Sequence, residues 1–300
     1  MGLTMAPVAS VGGWFGAVLR ELALWAGVLL LLVGGLSLYR GYARRQLSEL
    51  VDETPESDVT EVRSEGTARV RGRVVPRTDR DTFESPIKGD EDCVLSAWEI
   101  RELYDAPKSN SWENAARGVR SVPFALADDT GRILVDIDDT VVGNETGEVV
   151  TPEAILASAG VATERVHCEF ETFDVHLETG YDESPPGRTA EFLARTDGVS
   201  LDPMVSDFGG SVVDGSKRRY LEETVQAGDE ISIVGSVVPR RQGAEVTTEP
   251  SDLVFTASAD TPLRISERPF EELTDGGGLL LFGILAGLAG GALLALRFVV

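Results

Sequence analysis

The sequence predicts a mainly β soluble domain, a small barrel or sandwich, flanked by two transmembrane α-helices. Three features carry this expectation. An uncharged apolar run lies near each end, short strand-like segments recur at fairly regular spacing between them, and acidic residues are spread along the middle. Among 300 residues the formal net charge is −23.

The apolar runs are Leu22 to Leu38 and Gly276 to Leu296, and neither contains a charge. A bilayer core about 30 Å thick takes roughly 17–25 apolar residues at a rise of about 1.5 Å each. The first run therefore predicts a helix over 14–39, with Arg20 and Glu21 snorkelling or paired, and the second a helix over 276–297. A cleaved signal peptide competes for the first run. Against it, the run starts deep in the chain, Arg40, Arg44 and Arg45 follow it, and no small-residue cleavage site precedes them. Trp14, Tyr39 and Tyr42 fit an interfacial belt, whereas Trp25 falls deep in the span. Gly283, Gly287 and Gly291 recur at every fourth residue, the spacing that allows close approach to the first helix or to a second copy.

Cationic residues are retained on the cytoplasmic side of a membrane. Arg40, Arg44, Arg45, Arg264 and Arg268 flank the middle of the chain, against only Arg20 and Arg297 outside it. The expected arrangement is a two-pass protein of the cell membrane with its central domain in the cytoplasm. The sequon Asn144-Glu145-Thr146 would matter only in the opposite orientation. Cytoplasmic placement would keep Cys93 and Cys168 reduced, as small buried hydrophobes.

Only Lys88, Lys108 and Lys217 are lysines; the other cations are arginines. Such acidic, lysine-poor surfaces resemble those of proteins from salt-loving archaea, where dense carboxylates hold water. The same charge repels phosphates and argues against a nucleic-acid partner. The expected partners are the lipid bilayer and a protein.

Residues 40–63 are polar and acidic, contain Pro55, and predict a juxtamembrane linker ahead of a domain over 64–270. Within it, Thr67 to Val75 alternates small or apolar residues with arginine, the period of a half-exposed strand. Cys93 to Ile100 is a second strand, with Ser85-Pro86 and Lys88-Gly89-Asp90 marking a loop between them. Val122–Ala127 and Arg132–Asp136 flank Asp128-Asp129-Thr130-Gly131 and predict a hairpin. Thr151-Pro152-Glu153 opens a short helix reaching about Gly160. Arg165 to Leu177 is strand-like, with a change of apolar register between Phe170 and Phe173 that suggests a bulge. Pro185-Pro186-Gly187 and Asp197 to Ser216 read as loop. Arg218–Glu222 is ordered, Glu230–Val238 is the clearest strand after the Gly228-Asp229 turn, and Leu253–Phe255 and Leu263–Ser266 complete the set. Short OB-like strands with few helices argue for the barrel or sandwich. Trp98 and Trp112 are expected in its core.

Strung together, these features resemble the GIDE, or BAM ("beside a membrane"), domain family. The resemblance rests on Val70-Arg71-Gly72, Ser85-Pro86, Cys93 and Trp112, then Pro123–Gly131 leading to Val135-Asp136. It continues through Arg218–Glu222, Gly228-Asp229, Gly235 and Pro262–Ser266 ahead of the last helix. It covers nearly the whole chain. Eukaryotic members include mitochondrial membrane-anchored E3 ubiquitin ligases, so the resemblance implies an anchored protein-interaction domain. Their ubiquitin transfer uses a RING, whose two zinc ions take eight Cys or His ligands. The chain has two Cys and two His in all. Transferase activity is therefore expected only with a zinc domain supplied by a partner.

Three strings carry the look of catalysis or metal binding. Ile133 to Val141 matches the first motif of haloacid-dehalogenase-like phosphatases, where Asp136 would attack phosphorus and Asp138 act as general acid beside Mg²⁺. That chemistry needs a doubly wound α/β scaffold and a downstream lysine, and only Lys217 follows. Asp129-Thr130-Gly131 matches an aspartic-protease tripeptide, but bulky Arg132 follows where that loop needs a small residue. A hairpin turn with Gly131 at positive φ explains it better. His167, Cys168 and His176 share one strand-like region, yet adjacent residues on a strand point to opposite faces and suit one metal poorly. No complete catalytic site, cofactor or metal is expected.

Overall fold

The computed structural model describes residues 11–78, 80–106, 109–143, 159–180, 183–196, 199, 217–240, 252–258, 261–274 and 277–299. The chain forms two compact units, residues 1–49 with 273–300, and residues 50–272. The expected helix over 151–160 lies almost wholly outside the described residues, as does the sequon.

Helix α1 spans Val11–Glu53 and runs through most of the stretch expected as a linker. Residues 43–53 are rich in Ala, Arg, Gln, Leu and Glu, all good helix formers, so polarity there marks solvation rather than irregularity. Pro55 disfavours helix at the residue before it, and α1 stops at Glu53. A 3-10 turn at Val59–Glu61 follows, and Val59 and Val62 are buried in the core of the second unit. That unit is therefore ordered well ahead of residue 64.

Strands β1 (Gly66–Pro76), β2 (Cys93–Ala106), β3 (Ser109–Ser121), β4 (Phe124–Ala127), β5 (Arg132–Val135) and β6 (Thr140–Gly143) come next. Then follow β7 (Gly160–Ala162), β8 (Val166–Glu169), β9 (Val175–Thr179) and helix α2 (Gly187–Arg195). The last elements are β10 (Arg218–Gln226), β11 (Glu230–Pro239), β12 (Leu253–Thr256), β13 (Leu263–Ser266), α3 (Phe270–Thr274) and α4 (Gly277–Val299).

The mainly β expectation holds, and the barrel is the form taken. β1 pairs antiparallel with both β11 and β4, β4 with β5, and β12 with β11; β5 and β12 close the ring in parallel. A closed five-strand ring of this connectivity is the OB-type solution, and closure removes the edge strands an open sheet would expose. Inward residues such as Val70, Val74, Leu126, Ile133, Ile231 and Phe255 fill it. Gly72 is required by β4: a Cβ there would lie 2.6 Å from the Ala127 carbonyl oxygen. β13, β8 and β7 continue this sheet outward from β11.

A second, antiparallel sheet has the order β6-β3-β2-β10-β9. One face carries Trp98, Ile100, Ala116 and Tyr220, covered by Leu193 of α2 and Ile87 of the preceding loop. Gly118 lies under the indole, where a Cβ would come within 2.6 Å of the Trp98 ring. Arg218 and Glu102 face each other across β10 and β2 as a buried ion pair at 2.5 Å. The expected bulge in Arg165–Leu177 is instead a change of sheet. β8 ends at Glu169 in the first sheet and β9 begins at Val175 in the second, with Phe170 and Phe173 stacked at 6.3 Å in the crossing. The apolar register changes there because the chain starts burying a different face.

The β4–β5 turn is organised by Asp128. One carboxylate oxygen accepts from Thr130 N–H at 2.7 Å, the Thr130 hydroxyl at 2.7 Å and Gly131 N–H at 2.8 Å. The other accepts from Val59 N–H at 2.7 Å, stapling the 3-10 turn to the barrel. Gly131 is not at positive φ, contrary to the sequence expectation. Glycine is favoured there by space, since a Cβ would sit 3.3 Å from Val59 Cγ1.

In the first unit, α1 and α4 pack glycine against glycine. A Cβ on Gly34 would lie 2.9 Å from the Gly287 nitrogen and 3.0 Å from the Gly283 oxygen, and one on Gly290 would lie 2.8 Å from the Gly27 oxygen. Close backbone approach of this kind supplies van der Waals contact along the seam. Of the three glycines at fourth-residue spacing, Gly283 lies in the seam, where a Cβ would come 2.8 Å from Leu38 Cγ. Gly287 lends only its backbone to Gly34, and a Cβ on Gly287 or on Gly291 would meet nothing within 4 Å; Gly290 rather than Gly291 completes the seam.

Replacing Gly34 by Leu forces backbone apart and should lower the melting temperature in detergent, whereas Gly291→Leu should leave it unchanged; differential scanning fluorimetry reads both. Replacing Asp128 by Ala should cost about 1–2 kcal/mol in denaturant unfolding, the usual cost of losing a local carboxylate acceptor. Partial burial opposes ionisation of Asp128, but the hydrogen bonds from Thr130, Val59 and Gly131 outweigh it and hold its carboxyl below the usual range. Its stabilisation is therefore present above the unfolded carboxyl pKa of about 3.9 and is lost as pH falls through the lower folded value. Asp128→Asn should lack that part of the acid sensitivity.

Candidate binding groove on the second sheet

The catalytic-looking strings do not come together. Asp136 follows β5 on the barrel, exposed, with its backbone N–H donating to the Phe255 carbonyl at 3.0 Å. Asp138 is exposed and pairs with Arg165 at 3.1 Å. Their strand belongs to a closed barrel, not to the doubly wound α/β sheet that phosphatase chemistry uses. Asp129 is exposed in the turn that its neighbour Asp128 organises. His167 and Cys168 lie on β8, whereas His176 lies on β9 in the other sheet, so the shared strand region divides. Burial pushes the Cys168 thiol up strongly. Cys93 is pushed up to about 11, chiefly by burial, and its Sγ donates to the Asp90 carbonyl at 3.3 Å. Both thiols are therefore protonated, poor nucleophiles. Among the described residues no group of three His, Cys, Asp or Glu could hold a metal. Trp98 is a core residue as expected. Trp112 is only half-buried and lies under the Arg219 guanidinium, 4.0 Å from its ring centroid.

What the fold does assemble is a loop gripped by a buried carboxylate. Glu222 sits mid-strand on β10, fully buried, beside Trp98 and Ser96 of β2. One oxygen accepts from Ile87 N–H at 2.9 Å and Lys88 N–H at 2.5 Å, the other from the Ser96 hydroxyl at 2.5 Å. Ser85 closes the loop on itself by accepting from Gly89 and Asp90 N–H, both at 2.9 Å, and Gly89 takes φ +81° to make the bend. Lys88 pairs with Glu223 at 2.5 Å, and Thr224 donates to Asp90 at 3.0 Å. The loop in turn receives α2, whose Thr189 hydroxyl donates to the Pro86 carbonyl at 3.2 Å. Phe192 meets Trp98 edge to face at 5.3 Å.

Between loop, α2 and the end of β3 lies a groove of about 310 Å³, lined by Glu84, Pro86, Arg120, Asp139, Arg188, Glu191, Phe192, Arg195 and Thr196. Arg188 pairs with Glu84, and Arg195 with Glu191 at 3.3 Å. The size suits a small ligand or a few residues of a peptide. Its walls are charged, and none of the catalytic-looking strings contributes a candidate residue to it. The loop residues Ser85-Pro86 and the strand residue Glu222, far apart in the chain, are brought together by the fold. α2 fills the stretch between Pro185-Pro186-Gly187 and Asp197 to Ser216, the two segments that read as loop, and takes Gly187 as its first residue. The signal was present nonetheless: Pro186 stands just before the first turn, and Thr189 and Leu193 are spaced for one buried face.

No family model, curated protein or solved structure matches the chain.

Glu222 supplies the test of this grip. Glu222→Ala would leave two buried N–H groups and a hydroxyl without their acceptor, at a cost of about 3–5 kcal/mol in unfolding free energy. Burial raises the Glu222 carboxyl above its ordinary value, and the donors from Ser96, Lys88, Ile87 and Ser85 offset only part of that rise. A raised folded value makes its contribution complete below the unfolded pKa of about 4.3 and lost as pH climbs through the folded one. The melting-temperature advantage of wild type over Glu222→Gln should therefore shrink as pH rises from about 4.

Proposed function

We propose that this chain is a GIDE-like membrane protein that crosses the bilayer twice. Its β unit holds a protein partner close to the membrane, on the cytoplasmic side, without a catalytic site of its own. The observation that carries this reading is the α1–α4 pair. The segment Glu21–Tyr39 is long and apolar enough to span a membrane, and α4 carries the shorter apolar stretch Leu281–Ala295. The 23 residues of α4 rise about 34 Å, a bilayer's hydrocarbon thickness. Leu29, Leu32, Leu281 and Leu288 are 61–68% exposed on the outside of the pair. Water does not tolerate that much continuous apolar surface, and lipid requires it.

Orientation rests on the arginines that flank the β unit, and the partner on the charged groove and on the resemblance to a family of membrane-side interaction domains.

The test has three readings in native membranes. The chain should stay in the pellet after alkaline carbonate extraction, and release would sink the two-span reading. A cysteine introduced at the exposed Ser64 should resist a membrane-impermeant maleimide in intact cells and react after lysis. Affinity purification should bring down a partner in near-stoichiometric amount, and its absence would overturn the interaction role.

A further inference from the structure

The groove on the second sheet contains two opposite charges that no ion pair among the described residues neutralises. Four of its six charged walls cancel as the pairs Arg188–Glu84 and Arg195–Glu191. Arg120 and Asp139 are left. The Arg120 guanidinium lies over the Phe83 ring, 4.6 Å from its centroid, and meets no carboxylate among the described residues. Asp139 accepts the Ser121 N–H at 2.9 Å and meets no cation among the described residues. The two are near neighbours. The β3–β6 ladder ends at the Val119–Thr140 pair, so residues 120 and 139 leave the same rung. They are nonetheless not bonded to each other.

We infer that the groove takes a peptide segment of the partner carrying a carboxylate beside a cation, the carboxylate held by Arg120 and the cation by Asp139. This rests on the partner-binding role proposed above. A planar guanidinium already stacked on an aromatic ring loses little freedom on binding and offers a fork that matches a carboxylate. A purely anionic ligand would face Asp139 and a strongly acidic chain, and a purely cationic one would face Arg120. An apolar ligand would leave both charges unpaired on desolvation. Only a segment with both signs satisfies both walls. Pro86 and Phe192 supply the apolar contact beneath it.

The experiment uses the full chain in lipid nanodiscs and short dye-labelled peptides that differ at one central pair, Lys-Asp, Asp-Asp or Lys-Lys, read by fluorescence anisotropy at fixed ionic strength. The mixed pair should bind about tenfold more tightly than either like-charged pair. Arg120→Gln and Asp139→Asn should each remove most of that preference, while unchanged melting temperatures show that the fold survives. The amide introduced by Asp139→Asn keeps an acceptor for the Ser121 N–H. Arg120→Lys, which retains charge but loses the fork, serves if Arg120→Gln fails to fold. Equal binding of all three peptides, preference for Asp-Asp, or indifference to both substitutions would overturn the inference. Competition by free lysine or glutamic acid as strong as that of the peptide would also overturn it, by making the site one for small zwitterions. If the partner from native membranes co-purifies equally with the Arg120→Gln chain, this inference falls while the interaction role stands. If no partner co-purifies with wild type, it is the interaction role that falls.

Discussion

The architecture of the candidate site depends on one buried carboxylate. Glu222 lies on the apolar face of the second sheet, and two backbone N–H groups and a serine hydroxyl converge on it. A group so placed costs free energy unless every lone pair it hides is satisfied, and the loop before β2 supplies the satisfaction. The loop is held by that demand rather than by packing alone. α2 is held by the loop through Thr189, and the groove is the space the two leave over β3. An interior acid, a bend at Gly89 and a surface helix thus form one chain of dependence.

The two units are held together internally by different physics. In the β unit, apolar side chains leave water, and glycine is demanded where another strand's carbonyl or a ring comes too close, as at Gly72 and Gly118. In the helix pair, glycines line the seam while Leu29, Leu32, Leu281 and Leu288 stand exposed. Cohesion there comes from backbone lying against backbone, where even a Cβ on Gly34 or Gly290 would collide.

The strands of the ring are legible in the sequence because each buries one face, and alternation reports that directly: β1, the β4–β5 hairpin, β11 and β12 all lie where the pattern places them, as does β13 beside the ring. The second sheet is less legible. β2 extends past Ile100 because its polar outer residues pair among themselves, Glu99 accepting from Arg101 at 2.8 Å and from Asn114 at 2.9 Å, so alternation is lost without loss of strand. His167 and His176 read as neighbours because the register change between Phe170 and Phe173 looks the same for a bulge as for a change of sheet. Asp128, not Asp129, organises the turn, a distinction that depends on which side chain reaches Val59. The groove is invisible in the sequence, since Arg120, Asp139 and Arg188 meet only through tertiary folding. Residues 40–53 are helical where a linker is expected, because polarity alone does not separate a solvated helix from a coil.

The order of strands around the barrel has a consequence for synthesis. β2 and β3 are spelled out between the first two ring strands, while their partner β10 arrives more than a hundred residues after β2, and β12, which closes the ring, comes later still. Neither sheet completes until most of the β unit has left the ribosome. Pairings this distant along the chain form slowly, and unpaired edges stay open to neighbouring nascent chains meanwhile. The dense negative charge of the polypeptide then acts during translation: mutual repulsion keeps half-made copies apart until the ring can shut.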